Sequence, residues 1–124
     1  MIAFLFEAAA RLGEAALAER LAHELRPYTD RHLVLGGASL YLGPMRRYLA
    51  IALAAAEVRE EAGTELVTAI AEAERMRSLY WLARTQVDLA RVRDDRVLAH
   101  RVAEVATASG WGTIAREAHA LTLR

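Results

Sequence analysis

The chain has 124 residues, enough for one domain that buries about two-thirds of the surface its unfolded form exposes. Its 16 basic and 16 acidic residues cancel, so no overall field draws it to nucleic acid or to an anionic membrane. The basic set is all arginine, which excludes a Schiff-base or phosphate-loop lysine, and the lack of cysteine excludes disulfides, zinc–thiolate sites and a thiol nucleophile.

The opening MIAFLFEAAARL is apolar for six residues, has no basic n-region and meets Glu7 at once. It reads as neither a signal peptide nor a membrane span, and a soluble cytoplasmic chain is expected. Alanine, leucine, glutamate and arginine dominate, a composition that favours helix. The first expected helices are 2–12 and 14–26, broken at Gly13. A connector follows over 27–43. Its glycines, Gly36, Gly37 and Gly43, stand ahead of Pro44 and two arginines and so raise the question of a phosphate cradle. They fit neither the P-loop nor GxGxxG, no βαβ unit is expected around them and no Lys-Ser/Thr follows, so the segment reads as a long connector.

Pro44 suits the first position of a helix over 44–56, which is apolar almost all round after Arg47 and is therefore expected to be covered on several sides. Over 60–76, Ala62, Leu66, Ala69, Ile70 and Ala73 recur at helical spacing while Glu61, Glu65, Thr68, Glu72 and Arg75 take the other side. Further helices are expected at 79–92, 95–109 and 113–123. Asp94 or Asp95 is placed to cap the helix at 95–109, and Gly110 suits the left-handed residue that ends it. Ser39, Ser78 and Ser109 sit at breaks, where hydroxyls cap helices.

Three of these helices carry alanines seven apart, Ala15/Ala22, Ala62/Ala69 and Ala99/Ala106. Two turns separate the members of each pair, so both face one neighbour and let its backbone approach. The last two hairpins are offset by about 33 to 37 residues, close to the roughly 34-residue tetratricopeptide unit. The expected fold is all-α, a single domain of stacked antiparallel hairpins with about seven helices: hairpin 1–26, connector 27–43, hairpin 44–76, hairpin 79–109 and terminal helix 113–123.

The segment LRPYTDRHLVLGGASLYLGPMRRYLAIALAAAEV, followed by YWLARTQVDLARV, resembles the C-terminal helical-repeat region of large bacterial ATPase regulators. These are the LuxR-type transcription activators and the related adenylate cyclase-linked or kinase-linked ATPases. The matching positions are Leu25, Pro27, Tyr28, Gly36, Gly37, Leu42, Gly43, Pro44, Tyr48, Leu49, Trp81 through Gln86, Asp88, Ala90 and Arg91. Two places depart from the pattern: Glu57-Val58-Arg59-Glu60 replaces a glycine turn, and the connector at Arg93–Asp95 is shorter. The resemblance implies a tetratricopeptide-like sensor or scaffold segment of a longer protein, with an ATPase upstream and an output domain elsewhere.

The functional candidates follow from that frame. Trp81, Arg84, Thr85, Asp88 and Arg91 share one face of the helix at 79–92, at steps of three or four. Such a row offers a flat aromatic contact and forked guanidinium donors to a protein or peptide segment, including the chain's own upstream ATPase domain. The alternative, which the spacing favours, is ordinary Arg84–Asp88 and Asp88–Arg91 surface pairs with Trp81 filling core. Arg46 and Arg47 oppose the dipole at a helix start and are expected as a solvated pair, or facing a ligand carboxylate or an acidic neighbour within Glu57 to Glu61. Ile2, Phe4, Leu5 and Phe6 form an apolar segment expected to dimerise the chain or to pack on an upstream repeat. The four histidines, His23, His32, His100 and His119, lie on separate segments and none forms HExxH, so no metal, cofactor or catalytic group is expected. Nor is direct contact with nucleic acid or membrane. The functional expectation is a non-enzymatic interaction module, with a self-associating structural bundle as the alternative.

Overall fold

A computed structural model describes residues 15–35 and 40–123. They form α1 (Ala15–Leu25), a 3-10 turn (Arg26–Tyr28), strands β1 (His32–Leu35) and β2 (Leu40–Pro44), then α2 (Met45–Ala55), α3 (Arg59–Arg75), α4 (Leu79–Arg93), α5 (Arg96–Ser109) and α6 (Gly112–Thr122). The helix expected at 2–12, with the self-association candidates Ile2, Phe4, Leu5 and Phe6, lies outside the described residues. The chain divides into two compact units, Met1–Ala69 and Ile70–Arg124.

In the first unit α1 buries Ala18, Leu21, Ala22 and Leu25, a stripe at steps of three and four that packs on α2. Ala15 is exposed, so the expected Ala15/Ala22 pair is not a contact pair; Ala18 and Ala22, one turn apart, do that work. The connector also differs from expectation. It holds an antiparallel hairpin in which Leu35 pairs with Leu40, Val34 with Tyr41 and His32 with Pro44. The register slips by one residue between Val34 and His32, and Gly43 takes φ 99° on the longer strand. That is a β-bulge, and glycine takes positive φ at little cost. Pro44 therefore closes β2 and Met45 opens the helix, where the Met45 amide donates to the Arg31 carbonyl at 2.9 Å. No residue of α2 is fully exposed, and Tyr48, Leu49, Ala50, Ala52 and Leu53 are buried, as a helix without a wet face requires.

One turn recurs at all four helix junctions after α2. A single residue takes left-handed backbone in each: Glu57 (φ 66°), Arg77 (φ 55°), Asp94 (φ 53°) and Gly110 (φ 78°). The next amide reaches back to a buried residue's carbonyl five positions earlier: Val58 to Leu53 (2.8 Å), Ser78 to Ala73 (3.0 Å), Asp95 to Ala90 (2.9 Å) and Trp111 to Ala106 (2.9 Å). The same residue's carbonyl then accepts the first amide bond of the next helix, from Ala62, Leu82, Ala99 and Ala115 respectively. Carbonyls that a helix end leaves bare are thus satisfied and the next helix is started by one residue. At Glu57 the turn is made with a side chain in the left-handed region. Asp95 adds a side-chain cap, accepting from the Leu98 amide at 3.0 Å. Ser78, expected to cap, has the capping position but makes no side-chain bond there.

L-residues in that backbone region carry about 1 kcal/mol or more of strain that glycine does not. Glu57→Gly and Arg77→Gly are therefore expected to raise the unfolding free energy by about 0.5–1 kcal/mol each, after the extra freedom glycine gains when unfolded. Gly110→Ala should lower it by about 1 kcal/mol although nothing lies within 4 Å of the added methyl. Thermal denaturation of the three variants checks both signs.

In the second unit α4, α5 and α6 each contact the other two. Their shared core is Ala83, Val87 and Ala90 of α4, Ala99, Val102, Ala103 and Ala106 of α5, and Ile114, Ala115, Ala118 and Leu121 of α6, with Leu98 and Trp111 packed against it. Alanine supplies most of it. Side chains this small let neighbouring helix backbones approach closely.

Candidate interaction site

The charged row of α4 is not an open groove within its unit. Asp88 is 4% exposed and Thr85 fully buried, with the Thr85 hydroxyl donating to the Trp81 carbonyl at 2.6 Å. The Arg84 guanidinium lies 3.4 Å from the Asp88 carboxylate, one turn on, and Arg91 meets the same oxygen at 3.4 Å. A fourth member comes from α6: Glu117 forms an ion pair with Arg84 and lies 3.7 Å from Arg91. Ile114, Ala118 and Leu121 turn one stripe of α6 into the core, and Glu117, three residues after Ile114, stands at the edge of that stripe facing α4. Arg84 and Asp88 are thus held between two helices, while the Arg91 side chain is 41% exposed. Both expected pairs form: Arg84–Asp88 is enclosed, whereas Arg91 reaches Asp88 from the surface.

Arg46 and Arg47 are not a solvated pair either. Arg46 donates to Glu65 of α3 at 2.6 Å, one turn beyond the expected Glu57 to Glu61. Arg47 is 5% exposed, its guanidinium 5.4 Å from the centre of the Tyr48 ring. The carboxylate nearer the start of α3, Glu61, binds both terminal nitrogens of Arg26 in the 3-10 turn, NH2 at 3.2 Å. Two glutamates one turn apart on α3 thereby hold the connector's first turn and the start of α2.

The Arg26 guanidinium holds the Glu61 carboxyl below its ordinary value of 4.5, the hydrogen bond outweighing desolvation. A carboxyl lowered by folding stabilises above its unfolded pKa, and that contribution fades as pH falls through the lowered folded value. Both side chains are more than a third exposed, so the pair is worth less than about 1 kcal/mol. Glu61→Gln is expected to cost that much at neutral pH and progressively less as pH falls below the ordinary value of 4.5 and through the lowered folded value, measured as the difference in urea midpoints.

A third group gathers around Trp81. The Tyr80 ring meets Trp81 edge-to-face at 5.2 Å and Trp111, from the turn between α5 and α6, at 5.5 Å. Trp111 lies thirty positions from Trp81 in a different helix junction, so only tertiary structure brings it there. Met76, Leu79 and Tyr80, in the turn before α4 and its first residues, are 49%, 67% and 41% exposed. Among the described residues no three histidine or carboxylate side chains are placed to hold a metal ion, and no helix is long and apolar enough to cross a membrane. The charged clusters join separate segments, Arg84 and Asp88 to Glu117 of α6 and Arg26 and Arg46 to glutamates of α3, and the aromatic cluster includes the exposed Tyr80. No known protein family, characterised protein or solved structure matches this chain.

Proposed function

We propose that this chain is a non-enzymatic, tetratricopeptide-like helical-repeat interaction module, a cytoplasmic segment of an ATP-dependent signalling or transcription regulator of the kind its sequence resembles. The observation that carries the stacked-hairpin part is the turn repeated at Glu57, Arg77, Asp94 and Gly110 with a buried residue's carbonyl behind each. One junction geometry reused down a chain is what an array of hairpins needs, since each unit buries its face only against the next. Burial of Ala62, Ala69, Ala99 and Ala106 supports close nesting of those helices. The regulator part rests on the resemblance at matching positions between Leu25 and Leu49 and between Trp81 and Arg91. The partner is a protein segment, such as the ATPase region of the same polypeptide, and the module acts by holding it.

Calorimetric titration of the purified chain with the ATPase region that this reading places on the same polypeptide tests this. Saturable one-to-one binding is expected, and no heat change at concentrations above roughly 10 µM contradicts it. A second reading, self-association through Ile2, Phe4, Leu5 and Phe6, rests on the apolar run those residues form in the sequence. Light scattering separates the two, a dimer mass supporting self-association and a monomer that binds the ATPase region supporting the module.

A further inference from the structure

We infer that the aromatic end of the second unit, around Tyr80 and Trp111, docks an acidic segment of a partner protein that carries bulky apolar anchors. The inference rests on the interaction-module reading and names the surface and the chemistry of its occupant.

Isolated exposed apolar side chains are ordinary on any protein. Here they are contiguous: Met76 precedes the left-handed turn residue, Leu79 and Tyr80 open α4, and the Tyr80 ring touches both tryptophans. With interplanar angles of 90° and 87°, Tyr80 meets both tryptophans edge-to-face, the arrangement aromatic rings prefer. Tyrosine, tryptophan and arginine are the residues that most often carry contact energy.

The exposed charges at the end of α3, in the turn after it and at the start of α6 are mostly basic: Arg75, Arg77 and Arg116 against the carboxylate of Glu74. Arg77 occupies a left-handed position equivalent to that of Gly110, so the turn itself gives no reason for a guanidinium there. Arg116 is folded back: its NH2 lies 3.2 Å from the Thr113 hydroxyl, and its NH1 would meet a methyl group on Gly112 at 3.3 Å, next to Trp111. The first turns of α4 and α6 carry no acidic residue to offset these cations. A carboxylate-bearing strand or helix with leucine or phenylalanine anchors complements both features. Single-stranded nucleic acid fits less well. Its bases need open ring faces and a long cationic track, whereas the rings here are locked edge-on and the chain as a whole is neutral.

The chain's two tryptophans are Trp81 and Trp111, so tryptophan emission, excited where tyrosine does not absorb, reports on this surface. The test is selection of a phage-displayed dodecapeptide library on the full chain, followed by fluorescence titration of the enriched peptides, with oligothymidylate in parallel. Enrichment of peptides with carboxylates flanking a bulky apolar residue is expected, each shifting the emission saturably. The variant R77N with R116Q should weaken them about tenfold with circular dichroism unchanged, and Y80A should weaken them without that charge change. Enrichment without carboxylates, equal binding to the arginine variant, no enrichment, or an equal shift with oligothymidylate would each overturn the assignment. If the ATPase region binds while no such peptide does, this surface is wrong and the module reading stands.

Discussion

Arg84→Ala is expected to lower the unfolding free energy by about 3 kcal/mol, whereas Arg91→Ala costs less than about 1 kcal/mol. The two residues sit on one helix face and share a carboxylate, but their surroundings differ. The Arg84 side chain is 11% exposed and bonds two acids, Asp88 on its own helix and Glu117 on α6. Its loss leaves the Asp88 carboxylate, 5% exposed, and the half-enclosed Glu117 sharing Arg91 at distances of 3.4 and 3.7 Å. An enclosed carboxylate without a close cation is costly because water cannot replace the missing partner. Arg91, mostly at the surface, gives up only a screened interaction. Urea denaturation followed by circular dichroism measures both. The same physics gives a second arm: Arg84→Met combined with Asp88→Leu and Glu117→Leu removes the whole cluster and should recover most of the loss. A silent Arg84→Ala would mean that the cluster is solvated and the row is open to a partner after all.

Ala106→Leu is expected to cost about 2–3 kcal/mol, and Ala108→Leu, two residues along the same helix, about 0.5 kcal/mol or less. Ala106 has no exposed surface, lies among Ala99, Val102 and Ala103 in the core shared with α4 and α6, and its carbonyl accepts the Trp111 amide that turns the chain into α6. Three added heavy atoms must push a neighbouring backbone away or distort that turn. Ala108 is exposed and has room for a leucine. Thermal unfolding of the pair reads the difference directly, and equal losses would show that the small residues do not set the helix spacing.

The helices were legible because their signals are local. Alanine periodicity, Gly110 and the aspartates at 94 and 95 mark ends that fall within about two residues of the observed ones. Gly110 does take the left-handed position and Asp95 does cap α5. The hairpin in the connector was missed, although Leu33-Val34-Leu35 and Leu40-Tyr41-Leu42 flank two glycines in a strand–turn–strand pattern. Both runs are short, and alanine-rich helix on either side dominates any window that includes them. Breaks near Glu57–Glu60 and at Arg77–Ser78 were readable, but the left-handed backbone of Glu57 and Arg77 was not, because neither is a residue that region favours. At the candidate site the spacing of Arg84, Asp88 and Arg91 was readable from the sequence, being fixed by helix geometry. Their enclosure was not, because Glu117 comes from α6, twenty-six positions beyond Arg91, and nothing local links them. Arg46 finds Glu65 rather than Glu57 to Glu61 for a similar reason: the two residues stand on different helices, and nothing local sets which glutamate the arginine meets.

Amide hydrogen exchange at the four helix junctions is the most direct measurement of the repeated turn on which this architecture depends. Val58, Ser78, Asp95 and Trp111 donate back across each turn to a buried residue, and their amides should exchange slowly. The amides just after them, Arg59, Leu79, Arg96 and Gly112, begin new helices before any helical acceptor exists and should exchange fast. That slow–fast alternation at all four places is the predicted result. Uniform protection would indicate uninterrupted helix and uniform fast exchange would indicate loose loops, and either would contradict an array of tightly turned helix pairs.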